Sequence, residues 1–178
     1  MCRNANGTMK RFLLLSLLMA AGLAALAPTA SYSFDFKAEK KKLEGTRTTT
    51  LEHETSVEKW CYAVTIQNHS FRDIPNVDIK YIVYFKKEGE GSKIVKEKHM
   101  SGAASAAMLQ NNVDFVFDTN PVELVKSELV GGFYYGNGAK PRSRDSITGI
   151  WMRLYQNGTM IGEYADPPEL STGNWDAR

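Results

Sequence analysis

From Lys59 to Phe85 the chain reads KWCYAVTIQNHSFRDIPNVDIKYIVYF, two runs in which apolar and polar positions alternate. In an extended strand successive side chains point to opposite faces, so a period of two builds a sheet with one dry face. Trp60, Tyr62, Val64 and Ile66 share a face, opposite Cys61, Ala63, Thr65 and Gln67. In the second run Val77, Ile79, Tyr81, Val83 and Phe85 share a face, opposite Asp78, Lys80, Ile82, Tyr84 and Lys86. Burial of a large apolar side chain stabilises by roughly 1.5–3 kcal/mol. These two faces are therefore expected to form half of a core. The connector from Asn68 to Asn76 is too long for a two-residue hairpin and either joins neighbouring strands or crosses between sheets. Pro75 lacks a backbone donor and marks a strand start or an edge.

The same pattern recurs, less regularly, along the chain. Thr46 to Glu54 (TRTTTLEHE) is β-branched and predicts a first strand at an edge. Lys93 to Met100 predicts an exposed, charged strand of the type that blunts a sheet edge. Ser101 to Gln110 (SGAASAAMLQ) is small and Ala-rich and is expected to be a loop or a single helical turn. Val113, Phe115 and Phe117 alternate with polar neighbours in another half-buried strand, ended by Asn120-Pro121. Val122 to Val130 fits a short helix or an irregular strand equally well. Ser146 to Ala165 is the clearest hairpin, because Asn157-Gly158 is the preferred pair for a type I′ turn. Ile150, Met152 and Leu154 face one way and Trp151, Arg153 and Tyr155 the other, while Trp175 in the tail is expected to dock back onto the domain. The sum is seven or eight strands with little helix, which predicts an all-β, immunoglobulin-like antiparallel β-sandwich.

The N-terminus follows a different logic. Met9-Lys10-Arg11 is a short basic stretch, Phe12 to Ala27 is apolar, and small residues follow, which is the pattern of an export signal over residues 1–31 with Met9 as an alternative start. The apolar run is short for a membrane span, so no stable span is expected after cleavage; an uncleaved anchor is the alternative. Residues 32–45, rich in Lys and Glu, are read as a linker or short helix, and residues 46–178 as one sandwich domain. The formal charge of +2 changes with the signal: loss of Arg3, Lys10 and Arg11 leaves 19 of the 22 Lys+Arg against 20 Asp+Glu, about −1. That balance argues against a nucleic-acid partner, which calls for a clustered basic surface. Cys61 is then the one cysteine of the mature chain, so no internal disulfide forms, and it reads as a small buried residue.

Chemistry is sparse. The sequence holds no G-x-S-x-G elbow, no P-loop and no S-x-x-K set. His53-Glu54 opens like a zinc-protease helix without the second His, and His53, His69 and His99 lack metal-ligand spacing. No catalytic residue, metal or cofactor is expected. Asn68-His69-Ser70 and Asn157-Gly158-Thr159 match the glycosylation sequon by coincidence, the second being explained by its turn. The candidate binding residues are Trp151, Arg153 and Tyr155, whose rings and guanidinium, if exposed, would stack on a sugar or contact a protein. Tyr134, Tyr135 and the loop from Lys140 to Arg144 would add to that surface.

The stretch from Trp60 to about Ile94 resembles the FxLYD-type family of bacterial extracytoplasmic domains. The shared features are an alternating strand ending in Asn68-His69-Ser70, then Ile74-Pro75-Asn76-Val77, then an aromatic strand and a Gly-containing turn. At the name-giving motif this chain has Tyr81-Ile82-Val83-Tyr84-Phe85, where Tyr84 matches literally and Phe85 replaces the acidic residue. The resemblance covers roughly a fifth of the chain. It implies an immunoglobulin-like fold, an envelope setting and no catalytic activity, and it carries over no site residues. The expected function is therefore a non-catalytic secreted or periplasmic protein with a protein or envelope partner; the alternative is a carbohydrate-binding module with a glycan partner.

Overall fold

The computed structural model describes residues 31–175. The export signal expected over residues 1–31 lies, apart from Ser31, outside the described residues. Nine strands follow in order: β1 (Phe34–Thr49), β2 (His53–Asn68), β3 (Ile74–Glu88), β4 (Val95–Leu109), β5 (Asp114–Asp118), β6 (Val122–Leu129), β7 (Arg142–Arg144), β8 (Ser146–Gln156) and β9 (Thr159–Asp166). A 3-10 turn (Pro168–Thr172) leads into the tail. The strands form two antiparallel sheets, a β-sandwich. The first has the order β1-β2-β6-β7 with β5 also on β2, and the second β4-β3-β8-β9.

The alternation from Lys59 to Phe85 does what the pattern predicts. Tyr62, Val64 and Ile66 of β2 and Val77, Ile79, Tyr81 and Val83 of β3 are buried against Ile150, Met152 and Leu154 of β8. Trp60 and Phe85 pack against the rim of that core. The connector Asn68–Asp73 crosses from one sheet to the other. Asn68 anchors the crossing. Its amide donates to the Arg72 and Leu109 carbonyls at 2.7 and 2.9 Å and its Oδ1 accepts from the Ser70 amide at 2.9 Å. The asparagine of that sequon is thus an internal part of the fold.

Four stretches differ from their sequence expectation. The residues 32–45 expected as a linker or short helix form most of β1, paired with β2 along its whole length. Phe34, Phe36 and Ala38 pack against the core between polar neighbours, a period of two that the lysine run hides. Leu43 falls at a bulge and is 46% exposed. The predicted first strand from Thr46 to Glu54 is instead the hairpin between β1 and β2, with its turn at residues 50–52. The Ala-rich loop is the second half of β4, where small residues make room for Tyr81. A Cβ at Gly102 would collide with the Tyr81 ring and hydroxyl. The undecided segment from Val122 is a strand. Its partner edge of β2 also carries β5, and Thr119 between them keeps both backbone groups of Tyr62 occupied at 2.9 Å. Pro121, which lacks a backbone donor, falls at the break between β5 and β6.

Aromatic rings close both sides of the sandwich. Tyr32, Phe34, Phe36 and Tyr164 form a row of ring contacts where β1 meets β9. Tyr81, Phe117 and Phe115 form another where β3 meets β5. The Asn157-Gly158 turn has positive φ at both residues, 50° and 78°, as a type I′ hairpin requires.

Candidate functional site

The outer face of the β8–β9 hairpin brings Trp151, Arg153 and Tyr155 together, but as part of a packed cluster rather than an open row. Trp151 is fully buried, while Arg153 and Tyr155 are half-buried. The burial has a local cause. The tail turns back and sets Trp175 edge-on against Trp151, with ring centroids 4.8 Å apart. The Arg153 guanidinium lies 4.7 Å from each of the two indole centroids, a cation held between two aromatic rings. Glu163, directly across in β9, accepts from the Trp151 indole at 2.9 Å and from Arg153 Nε at 2.7 Å. Lys80 of β3 stands over the Tyr155 ring at 5.4 Å. The condition for an open binding row, exposure of Trp151, is not met, because the tail docks Trp175 over it. What remains accessible is the edge formed by Arg153, Tyr155 and Lys80.

Tyr134 and Tyr135, expected to extend this surface, lie in a different region. Tyr134 is 83% exposed, whereas Tyr135 bonds Glu90 at 3.1 Å in the β3–β4 turn. Asn137 of the same loop donates to the Gly91 carbonyl at 2.9 Å. The three histidines sit apart, each with its own partner. His53 meets Glu90 at 2.6 Å, His69 meets Asn112 at 2.8 Å, and His99 packs on Tyr84. Cys61 is buried, and burial pushes its thiol pKa up.

Sequence reasoning missed a second constellation. Past Trp60 the inward face of β2 turns polar, and its first polar residue, Glu58, is 7% exposed. Its carboxylate accepts from Lys42 of β1 at 2.8 Å, from Lys126 of β6 at 2.8 Å and from the Trp60 indole at 2.9 Å. The hydrogen bonds from Lys126, Lys42 and Trp60 outweigh desolvation and hold the Glu58 carboxyl down at about 2. Nearby, Asp145 between β7 and β8 is 3% exposed. It accepts from the Glu88 and Val125 amides at 2.9 Å and pairs with Lys87 at 2.9 Å. Two adjoining hollows of about 160 and 390 Å³ share Glu58, Lys126 and Arg144. The signal available in the sequence was small: a Glu two residues before a Trp in an otherwise apolar face.

No protein family, curated protein or solved structure matches this chain.

Proposed function

We propose that this chain is a non-catalytic, exported β-sandwich of the immunoglobulin-like kind that works in the periplasm or outside the cell through protein or envelope contacts. The observation that carries the reading is the strand order. β1, β2 and the β5/β6 edge stand in the order A-B-E, and β4-β3-β8-β9 in the order C′-C-F-G, as in immunoglobulin-like sandwiches; β7 takes the place beside β6 that strand D holds there, although it follows β6 in the chain. The resemblance between Trp60 and Ile94 to extracytoplasmic FxLYD-type domains supports the same setting, as does the export-signal pattern near the N-terminus.

The contact surface in this reading is the Arg153, Tyr155 and Lys80 edge of the hairpin face. Tyr and Arg are the residue types that dominate protein interfaces. Occupation of Trp151 by the tail favours a protein contact over the glycan alternative, because a sugar platform needs open aromatic faces. The test is fractionation of the producing cell followed by photo-cross-linking from position 155. The expected result is a processed protein outside the cytoplasm, joined to one defined partner. An unprocessed cytoplasmic protein would sink the export reading. A defined glycan adduct in place of a protein adduct would sink the protein-contact reading.

A further inference from the structure

The polar end of the sandwich carries chemistry that the hairpin face does not. In the smaller hollow Trp60, Leu124 and Ile147 form an apolar floor, and Lys40, Lys126 and Arg144 form a cationic rim. The acids of this hollow are already occupied. Glu58 is bonded by Lys42, Lys126 and Trp60, and Asp145 by Lys87 and two backbone amides. The cations keep donors to spare. Lys126 Nζ makes one bond to Glu58 and Lys40 Nζ one bond to the Ile147 carbonyl at 3.0 Å, and an ammonium has further donors beyond either. Among the described residues the Arg144 guanidinium has no hydrogen bond or ion pair; only its backbone amide is engaged, by Glu88 at 3.0 Å.

The flanking charges of the larger hollow cancel in pairs, Arg47 with Glu54 at 2.6 Å and Arg142 with Glu128 at 2.7 Å. The excess of free donors is therefore concentrated around the Trp60 floor. It is a local feature, since the chain from Tyr32 onward carries 19 Lys+Arg against 20 Asp+Glu. Glu58 also preorganises the rim, because a buried carboxylate fixes the Lys126 ammonium in place before any ligand arrives. A concave apolar floor with a few convergent polar groups is the general form of a small-molecule site.

We propose that this hollow binds an acidic sugar, a ring bearing a carboxylate or phosphate, with the ring over Trp60 and the anion on Lys40, Lys126 and Arg144. The site lies apart from the hairpin face, so it stands or falls independently of the contact surface named above.

The three tryptophans make the test direct, because Trp60 reports on the hollow while Trp151 and Trp175 report on the hairpin face. Galacturonate and glucose 6-phosphate are titrated into the purified, 15N-labelled full chain, with glucose and inorganic phosphate as controls. The expected result is a saturable shift of the Trp60 indole N–H with at least one acidic sugar, while the Trp151 and Trp175 signals stay in place. Affinity should fall with added salt, and the Arg144→Gln and Lys40→Gln variants should each weaken binding about tenfold, the loss of one charge-assisted contact. Both positions lie outside the core, and an unchanged spectrum away from the hollow confirms that the variants fold.

The proposal is overturned if neither acidic sugar moves Trp60 at millimolar concentration, or if both variants bind as the parent does. Equal binding of glucose shows that the anion is not recognised, and equal binding of inorganic phosphate shows that the ring is not; either result overturns it. Shifts at Trp151 and Trp175 in place of Trp60 overturn it too, and support the glycan reading of the hairpin instead.

Discussion

Glu58 shows what one side chain contributes when the strand pattern is broken on purpose. Its folded pKa is lowered to about 2 by three donors, so the unfolded chain binds its proton more readily. The stability it provides is present above the ordinary carboxylate value and is lost as pH falls through the range from about 4.5 to about 2. Water reaches the surrounding hollow and screens the pair, so its worth is about 1–2 kcal/mol rather than the full shift. Glu58→Gln should destabilise by that amount at neutral pH, and the gap to the parent should close toward pH 2. Urea melts of both proteins at several pH values check this; a gap independent of pH overturns it. Tyr62 is the opposite case. Its hydroxyl is buried without a partner among the described residues, and burial raises its pKa. An unpaired buried hydroxyl costs more than its removal. Tyr62→Phe should therefore leave the melting temperature unchanged or raise it, and a clear fall would reveal a hidden partner.

At the scale of the element, legibility follows side-chain size. β2, β3, β8 and β9 were readable because large apolar residues alternate with polar ones and because Asn157-Gly158 accepts positive φ. β1 was not, because only Phe34, Phe36 and Ala38 carry its period before the lysines begin. The second half of β4 was not, because Gly102, Ala104 and Ala106 are chosen for smallness, and small residues give no hydrophobic period. Their role lies in the partner strand: Tyr81 leans across Gly102 and accepts a hydrogen bond at 2.9 Å from the Asn120 amide, in the break between β5 and β6. Gly102→Ala should thus overpack the core and cost about 1–3 kcal/mol. Combining it with Tyr81→Leu should recover part of the loss, since the two positions share one space. Thermal melts of the three variants test this, and strictly additive losses would count against the packing account.

For the whole molecule, the sheets are joined by rings at both sides and by the Asp145 and Glu88 carboxylates at an end. Asp145 ties the end of β3, the middle of β6 and Lys87 to the crossover into β8. Asp145→Ala would leave two amides without their acceptor and the Lys87 ammonium with the Glu123 carbonyl alone, a loss of about 2–3 kcal/mol. The denaturant midpoint should fall with the slope unchanged, because the surface exposed on unfolding is the same. A second transition would show instead that the sheets unfold separately. The candidate sites divide along the same line. The hairpin cluster was partly legible because Trp151, Arg153 and Tyr155 lie within five residues of one strand. Its cover was not, because which face a tail returns to is decided by tertiary packing. The hollow around Glu58 draws its rim from β1, β6 and β7 and its floor from β2, β6 and β8, and no local pattern announces such a convergence.

The buried thiol has a last consequence. Cys61 lies in β2 opposite Lys41 of β1, and the Lys41–Asp118 ion pair at 2.7 Å spans the same sheet. While the domain stays folded, no oxidant or second thiol reaches the sulfur. Cys61 is the one cysteine among the described residues, so in the processed chain proposed above it couples, once the domain opens, only to another chain. In an oxidising medium the covalent dimer thus keeps a record of how often the domain has opened. Its rate of accumulation on a non-reducing gel should rise in destabilised variants such as Asp145→Ala and vanish in Cys61→Ser. If dimers form equally fast in stable and destabilised proteins, the thiol is reached without opening.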